Sequence, residues 1–360
     1  MTIAMSNDLN TTAPIRAGEE LPAESLAAYL TAHLPGGGGS LVVEQFPAGH
    51  SNLTYLVRWG ERELVLRRPP FGNQVKTAHD MSREFRILSR LCEVYPPAPR
   101  PELYCEDETV IGAPFYLMER RRGMVLRRTL PRGLSISPDV ARRMACALID
   151  NLAALHRLDV REVGLADFGR PEGYVARQVA GWIQRYTNAQ TDDVPSMNRV
   201  ADWLRAHQPL EAGCAVIHND YKYDNLLLDV DDPTRIVAVL DWEMATIGDP
   251  LMDLGTSLAY WVEATDPEPL RQAAFGPTAL PGSLARREVI ERYQERTGRD
   301  VTRPTYYYCY GLYKLAVIVQ QIYARYVRGH TSDPRFGQLG GLVSLLSGQA
   351  ERAIAADSGV

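Results

Sequence analysis

The sequence predicts an α+β chain: a small antiparallel β lobe with one helix, followed by a larger helical lobe. Three observations carry this. Residues 41–119 hold short alternating apolar runs separated by turn residues, the signature of half-buried strands. After Gly123 the periodicity becomes helical. One short β-rich patch, Ala215 to Leu240, interrupts the helices.

The elements follow in order. Residues 1–40 read as a flexible tail and a helix, with tail to about residue 20 and helical spacing over Leu21–Leu34. Gly36-Gly37-Gly38-Gly39-Ser40 ends that helix. It lacks the Lys-Ser/Thr of a phosphate-binding P-loop and reads as a linker. Strands are expected at Leu41–Phe46, Leu53–Trp59 and Glu63–Arg68, with a Gly60-Glu61 hairpin turn. A helix is expected over Thr77–Cys92, with Met81, Phe85, Leu88 and Cys92 on its apolar stripe. Two more strands, Leu103–Glu106 and Pro114–Glu119, flank an Asp107-Glu108 turn and complete a lobe of residues 41–120. In the lobe of residues 121–360, helices are expected at Pro138–Leu158, Glu172–Tyr186, Ser196–His207, Asp249–Val262, Ser283–Arg296, Thr302–Arg328 and Phe336–Ala356.

Composition excludes several classes. The chain has 360 residues, 45% hydrophobic and 23% charged, ordinary values for a globular protein. Its formal net charge is −5, so no overall basic field favours nucleic acid. The densest basic cluster is Arg120-Arg121-Arg122 with Arg127-Arg128. The five cysteines are far apart and follow no metal-ligand spacing, which argues against a zinc site or disulfide framework. The opening residues lack an apolar signal region, and the most apolar later stretch is too short to span a bilayer. The expectation is a cytoplasmic protein without membrane or nucleic-acid partners.

Chemistry concentrates in His218-Asn219-Asp220-Tyr221-Lys222-Tyr223-Asp224-Asn225, between the apolar runs Ala215–Ile217 and Leu226–Leu228. A second acidic cluster, Asp241-Trp242-Glu243, ends the apolar run Ile236–Leu240. One carboxylate can orient or deprotonate a hydroxyl, while an amide and a second carboxylate hold Mg²⁺, which prefers hard oxygen ligands.

The spacing His-x-Asp-x-x-x-x-Asn followed by a strand-ending Asp resembles the protein-kinase-like fold. The wording Leu240-Asp241-Trp242-Glu243, then Gly248-Asp249-Pro250 and Asp253-Leu254, is similar to the aminoglycoside phosphotransferase and choline kinase family. It is closest to the phosphotransferase-like domains associated with acyl-CoA dehydrogenases. A DFG, an APE and an activation segment are missing, unlike in protein kinases.

The resemblance covers about residues 40–330. It implies a bilobal kinase-like fold whose residues 41–120 bind nucleotide and whose residues 121–360 carry the catalytic loop and acceptor pocket. It implies ATP, with GTP as the alternative, together with Mg²⁺. Asp220 would orient the acceptor hydroxyl. Lys222 would reach the transferred phosphate, or else stay in solvent. Asn225 and Asp241 would ligate Mg²⁺, His218 would support the loop, and Asp253 would anchor its backbone. In the first lobe, Ser51 and Asn52 lie where a phosphate loop belongs, although this loop has one glycine where kinases have three. Strand alternation puts Val65 and Arg67 on one face, toward adenine and phosphate. Arg67 stands where kinases place Lys, and the two are not interchangeable. Glu84 falls inside the helix's apolar stripe and needs a cationic partner, for which Arg67 is the candidate. Met118 and Glu119 resemble the hinge that bonds adenine through the main chain.

The expected function is transfer of the ATP γ-phosphate to a hydroxyl of a small molecule, a hydroxy acid or hydroxyacyl-CoA, with a linked acyl-CoA dehydrogenase as partner. Arg177, Arg185 and Arg325 point toward an anionic acceptor. The alternatives are a non-catalytic nucleotide-binding scaffold and an antibiotic phosphotransferase.

Overall fold

The computed structural model describes residues 12–36, 38–47, 52–71, 80–131, 133–331 and 333–356. The elements are α1 (Ala23–His33), β1 (Leu41–Gln45), β2 (Leu53–Trp59), β3 (Arg62–Arg68), α2 (Met81–Leu91), β4 (Pro101–Cys105), α3 (Glu108–Ile111), β5 (Phe115–Glu119), α4 (Pro138–His156), α5 (Tyr174–Ala189), α6 (Pro195–Ala206), β6 (Ala215–Ile217), β7 (Leu226–Leu228), β8 (Ile236–Val239), β9 (Thr246–Gly248), α7 (Pro250–Tyr260), α8 (Glu268–Gln272), α9 (Arg286–Thr297), α10 (Pro304–Val327) and α11 (Leu339–Ala356). They form two units. The first is Met1–Val125 with Asn225–Ala245, and the second is Leu126–Asp224 with Thr246–Val360.

In the first unit five antiparallel strands run in the order β1-β2-β3-β5-β4. Gly60, at φ 58°, makes the β2–β3 turn, and Trp59 pairs with Arg62. The left-handed region suits glycine, which has no Cβ to clash. Side-chain alternation divides the sheet. One face buries Tyr55, Val57, Trp59, Leu64 and Leu66 against Leu26 and Leu30 of α1. The other carries two cross-strand rows, Leu56–Val65–Met118 and Thr54–Arg67–Tyr116.

Residues 12–20, expected as flexible tail, instead dock on this sheet. Ala13 bridges Gln45, and the Tyr55 hydroxyl donates to the Glu19 carbonyl at 2.7 Å. The Asp107-Glu108 turn is a short helix, α3, capped by Asp107. The expected start of α2 at Thr77 lies outside the described residues. Its observed start is capped by the Asp80 carboxylate, which accepts from the Arg83 amide. Its buried face is Met81, Glu84, Ile87, Leu88 and Leu91, whereas Phe85 and Cys92 are half-buried. The apolar stripe is therefore rotated from the expected one, and Glu84 stands in its middle.

The first unit also holds the β7–β8 hairpin. Leu226 pairs with Val239, and the Leu240 amide donates to the Asn225 carbonyl at 2.8 Å. Asn225 and Asp241 thus share one end of one hairpin.

The second unit is built around α10. Tyr306, Tyr307, Tyr308, Tyr310 and Tyr313 are all buried, so this aromatic run is core. α7 is buried along its whole length, its polar Asp253, Thr256 and Ser257 included. It crosses α10 closely: a Cβ on Gly311 would stand 2.0 Å from the Gly255 carbonyl oxygen. The short pair β6–β9 supports the loop that follows Ile217. Sequence reading missed β9 and α8, each too short to show a period.

The Arg120–Arg122 cluster is largely neutralised. Arg120 and Arg122 both pair with Glu63, and Arg121 pairs with Glu119.

Candidate active site

In the second unit, the loop after β6 is pinned from several sides. Asp253, fully buried on α7, accepts the His218 amide at 2.7 Å and the Asn219 amide at 2.8 Å. Its carboxylate also meets His156 Nε2 at 3.1 Å. Burial pushes the Asp253 carboxyl up, but the bonds from His156 and the His218 amide outweigh that and hold it below its ordinary range. The loop backbone is therefore set by an acceptor that stays ionised. Ser257 donates to the Tyr221 carbonyl at 2.9 Å, and the Tyr221 hydroxyl donates to the Leu148 carbonyl at 3.0 Å. His218 is fully buried, and its Nδ1 accepts the Asp220 amide at 3.2 Å. It supports the loop by hydrogen bonding, as expected.

Asp220 keeps 17% of its side chain exposed. Lys222 Nζ donates to both of its oxygens, at 3.0 and 2.9 Å, and the Tyr260 hydroxyl donates to one at 2.7 Å. Burial would raise the Asp220 carboxyl. Lys222 outweighs this, with help from Tyr260 and His218, and the group lies below its ordinary range. The result is a carboxylate that is ionised at neutral pH and held by Lys222 and Tyr260, suited to orienting a hydroxyl rather than storing a proton. Lys222 is not in free solvent: only 18% of its side chain is exposed, and its ammonium lies 4.5 Å from the Tyr260 ring centre. Sequence reading missed Tyr260, which lies forty residues downstream at the far end of α7. A small pocket walled by Tyr223, Tyr260, Trp261, Phe275 and Gly276 adjoins Lys222.

In the first unit, Arg67 is the hub. Its guanidinium pairs with Glu84 at 3.0 Å, with Asp241 at 3.0 Å and with Glu243 at 3.8 Å. Burial works against the Arg67 charge, but Glu84 and the other carboxylates overcome it and keep Arg67 firmly protonated. Burial also raises the Glu84 carboxyl, opposed chiefly by Arg67. The expected Arg67–Glu84 partnership is present. Val65 and Met118 lie side by side as Cα partners on the Arg67 face, and Arg68 points the other way, to the Ile111 carbonyl.

Asn52 does not stand open for a ligand: its amide donates to Glu243 at 2.8 Å. Ser51 lies outside the described residues. The Glu119 amide donates to the Arg100 carbonyl, so this N–H is already used, and its carboxylate binds the Arg100 amide. A main-chain adenine contact at Glu119 is left with the carbonyl alone.

Asp241 has φ 65°, in the left-handed region, with 36% of its side chain exposed. A non-glycine residue held there marks a position that the surroundings over-determine. Among the described residues no group of three or more His, Cys, Asp or Glu side chains could cage a metal. Asn225 and Asp241 nevertheless fit Mg²⁺, which takes one or two protein oxygens and completes its shell with water and phosphate. The Asn225 amide oxygen and the Asp241 carboxylate are hard donors on one hairpin end.

Of the arginines expected to face an acceptor, Arg177 donates to the Glu172 and Arg170 carbonyls, and Arg185 stacks on Trp182 at 4.6 Å.

The sequence profile of the phosphotransferase enzyme family matches residues 42–288. The chain belongs to that family. A Ralstonia eutropha protein assigned as an aminoglycoside phosphotransferase superposes with a TM-score of 0.79 at 32% identity, covering 93% of this chain and 98% of that one. Choline kinase from Cryptosporidium parvum shares the fold, with a TM-score of 0.61 at 12% identity, covering 94% of this chain and 97% of that one. Human acyl-CoA dehydrogenase family member 11 is 35% identical over 318 residues, covering 86% of this chain. This chain spans only 40% of that relative's length. The kinase-like α+β fold expected from the motifs is the one observed. Among the described residues no helix is long and apolar enough to cross a membrane.

Proposed function

We propose that this phosphotransferase-family chain is an ATP- and Mg²⁺-dependent kinase that phosphorylates a hydroxyl of an anionic small molecule, a hydroxy acid or hydroxyacyl-CoA. The observation that carries the reading is the Asp220 carboxylate. It is kept ionised by Lys222 and Tyr260 on a loop whose backbone is fixed by Asp253. Such a group orients an acceptor hydroxyl for in-line attack.

Lys222 then serves the phosphoryl group in flight, exchanging its bond to Asp220 for one to the transferred oxygens. Arg67, aligned by Glu84, grips the nucleotide phosphates. Val65 and Met118 form the apolar floor for the base. Asn225 and Asp241 hold Mg²⁺, which when bound offsets phosphate charge.

The acceptor class rests on charge. Lys222 at the carboxylate and Arg185 on α5 disfavour a polycationic antibiotic. The similarity to proteins named for acyl-CoA dehydrogenases supports an acyl-linked acceptor and a linked dehydrogenase that uses the product.

One observation favours a second, non-catalytic reading: Arg67 bonds Asp241 directly and so competes with a metal there. One experiment separates the two readings. Hydroxy acids and hydroxyacyl-CoAs are incubated with Mg-ATP and wild-type or Asp220→Asn protein, then analysed by mass spectrometry. A phosphorylated product seen with wild type alone upholds the kinase. Nucleotide binding without any product supports the scaffold.

A further inference from the structure

The chain contains 39 basic side chains, yet only three are lysines: Lys76, Lys222 and Lys314. Two of these three sit against the loop that carries Asp220. Lys222 holds the carboxylate itself. Lys314, on α10, is 2% exposed, and its Nζ lies 2.6 Å from the Asn219 carbonyl oxygen. A protein that otherwise uses arginine has an ammonium at this point. The geometry gives a reason. A compact ammonium can cap one carbonyl in a closed space, which the planar five-donor guanidinium cannot do without further acceptors. A leucine or methionine would fill the same volume without the desolvation cost of a buried charge.

The carbonyl it caps is a special one. Asn219 has φ 66°, a left-handed conformation that L side chains rarely adopt. Asp253 takes the amides on the upstream side, those of His218 and Asn219. The next peptide, joining Asn219 to Asp220, is gripped at both edges. His218 Nδ1 accepts its N–H at 3.2 Å, and Lys314 caps its C=O.

We propose that Lys314 is a positioning residue: it fixes the plane of the Asn219–Asp220 peptide and thereby aims the Asp220 carboxylate. This rests on Asp220 being the group that orients the acceptor. The groups around the ammonium are Asp253 and Thr256 from α7, Asp220 and Lys222 from the loop, and Trp182 and Arg185 from α5. Burial pushes the Lys314 amine down to about 8, with Asp253 and Asp220 opposing. The clamp is thus charged at neutral pH and loses its charge as the pH rises past 8.

Three lysines make a direct test practical. Protein labelled with ¹³C at lysine is compared with Lys314→Gln, which keeps an N–H donor, and Lys314→Met, which does not. In Lys314→Met the Lys222 resonance is expected to shift, because its Asp220 partner moves. Asp220-dependent turnover of ATP is expected to fall at least tenfold in kcat, with nucleotide Kd within twofold of wild type. Lys314→Gln should recover part of that loss. Wild type is expected to lose kcat above pH 8, and Lys314→Gln to lack that decline. An unmoved Lys222 resonance together with unchanged kcat in Lys314→Met overturns the proposal. If wild type neither transfers nor hydrolyses, the kinase reading fails. The Lys222 resonance still decides the clamp: a shift upholds it, and no shift overturns it.

Discussion

Replacing Asp253 by asparagine tests how the loop is held. In the wild type one carboxylate accepts two backbone amides, at 2.7 and 2.8 Å, and faces His156 Nε2 at 3.1 Å, all fully buried. An amide side chain has one acceptor oxygen, and its NH₂ would face a donor. At least one charge-assisted bond is lost and one buried N–H is left unpaired. The first effect costs ~1.5–3 kcal/mol and the second ~1–3 kcal/mol, so the loss should be about 2.5–6 kcal/mol. For a unit of this size that lowers Tm by roughly 5–24 °C.

The pH dependence carries a second signature. The Asp253 carboxyl is held below its ordinary range in the folded state. Its stabilisation is therefore full above the unfolded carboxylate pKa and is lost as the pH falls through the folded value. Asp253→Asn should flatten the acid limb of the stability curve. The assay is thermal unfolding from pH 3 to 7, with Asp202→Asn as control, since Asp202 forms an exposed pair with Arg205. A Tm for Asp253→Asn within 2 °C of wild type, on an unchanged acid limb, would refute the reasoning.

Other consequences follow from the same contacts. Arg67→Met leaves Glu84 buried without its cation, so it should cost about 3–5 kcal/mol in chemical denaturation and weaken nucleotide binding at least tenfold by calorimetry. Unchanged affinity would remove Arg67 from the nucleotide site. Tyr260→Phe deletes one of the bonds to Asp220 and should lower kcat several-fold with little change in acceptor KM; a pure KM effect would show that Tyr260 touches the acceptor instead. Gly311→Ala places a methyl 2.0 Å from the Gly255 carbonyl and should destabilise by ~2–3 kcal/mol or more. A Tm unchanged by calorimetry would mean that α7 and α10 do not pack as described.

Most of the candidate residues could be picked out from the sequence because they are tied to local order. Asp220, Asn225 and Asp241 sit at fixed offsets from short apolar strands, and strand alternation alone puts Val65 beside Arg67. Glu84 was readable as a charge inside an apolar helix stripe. What escaped reading depends on long-range packing. Tyr260 reaches Asp220 only because α7 runs back past the loop that Asp253 anchors at its other end. Lys314 looks like an ordinary interruption of an apolar helix until α10 is placed against Asn219. The docking of residues 12–20 rests on bridges such as Ala13 to Gln45, which leave no period in the chain. The bond from Asn52, in the expected phosphate loop, to Glu243 likewise leaves no mark in the sequence.

The central claim is that Asp220 orients an acceptor hydroxyl for phosphoryl transfer. Its most direct test is a single-turnover transfer of the ATP γ-phosphate to a hydroxyacyl-CoA, comparing wild type with Asp220→Asn under saturating nucleotide. The account requires transfer by wild type and a rate at least a hundredfold lower for Asp220→Asn, with nucleotide affinity within twofold. Equal transfer rates for the two proteins would contradict it.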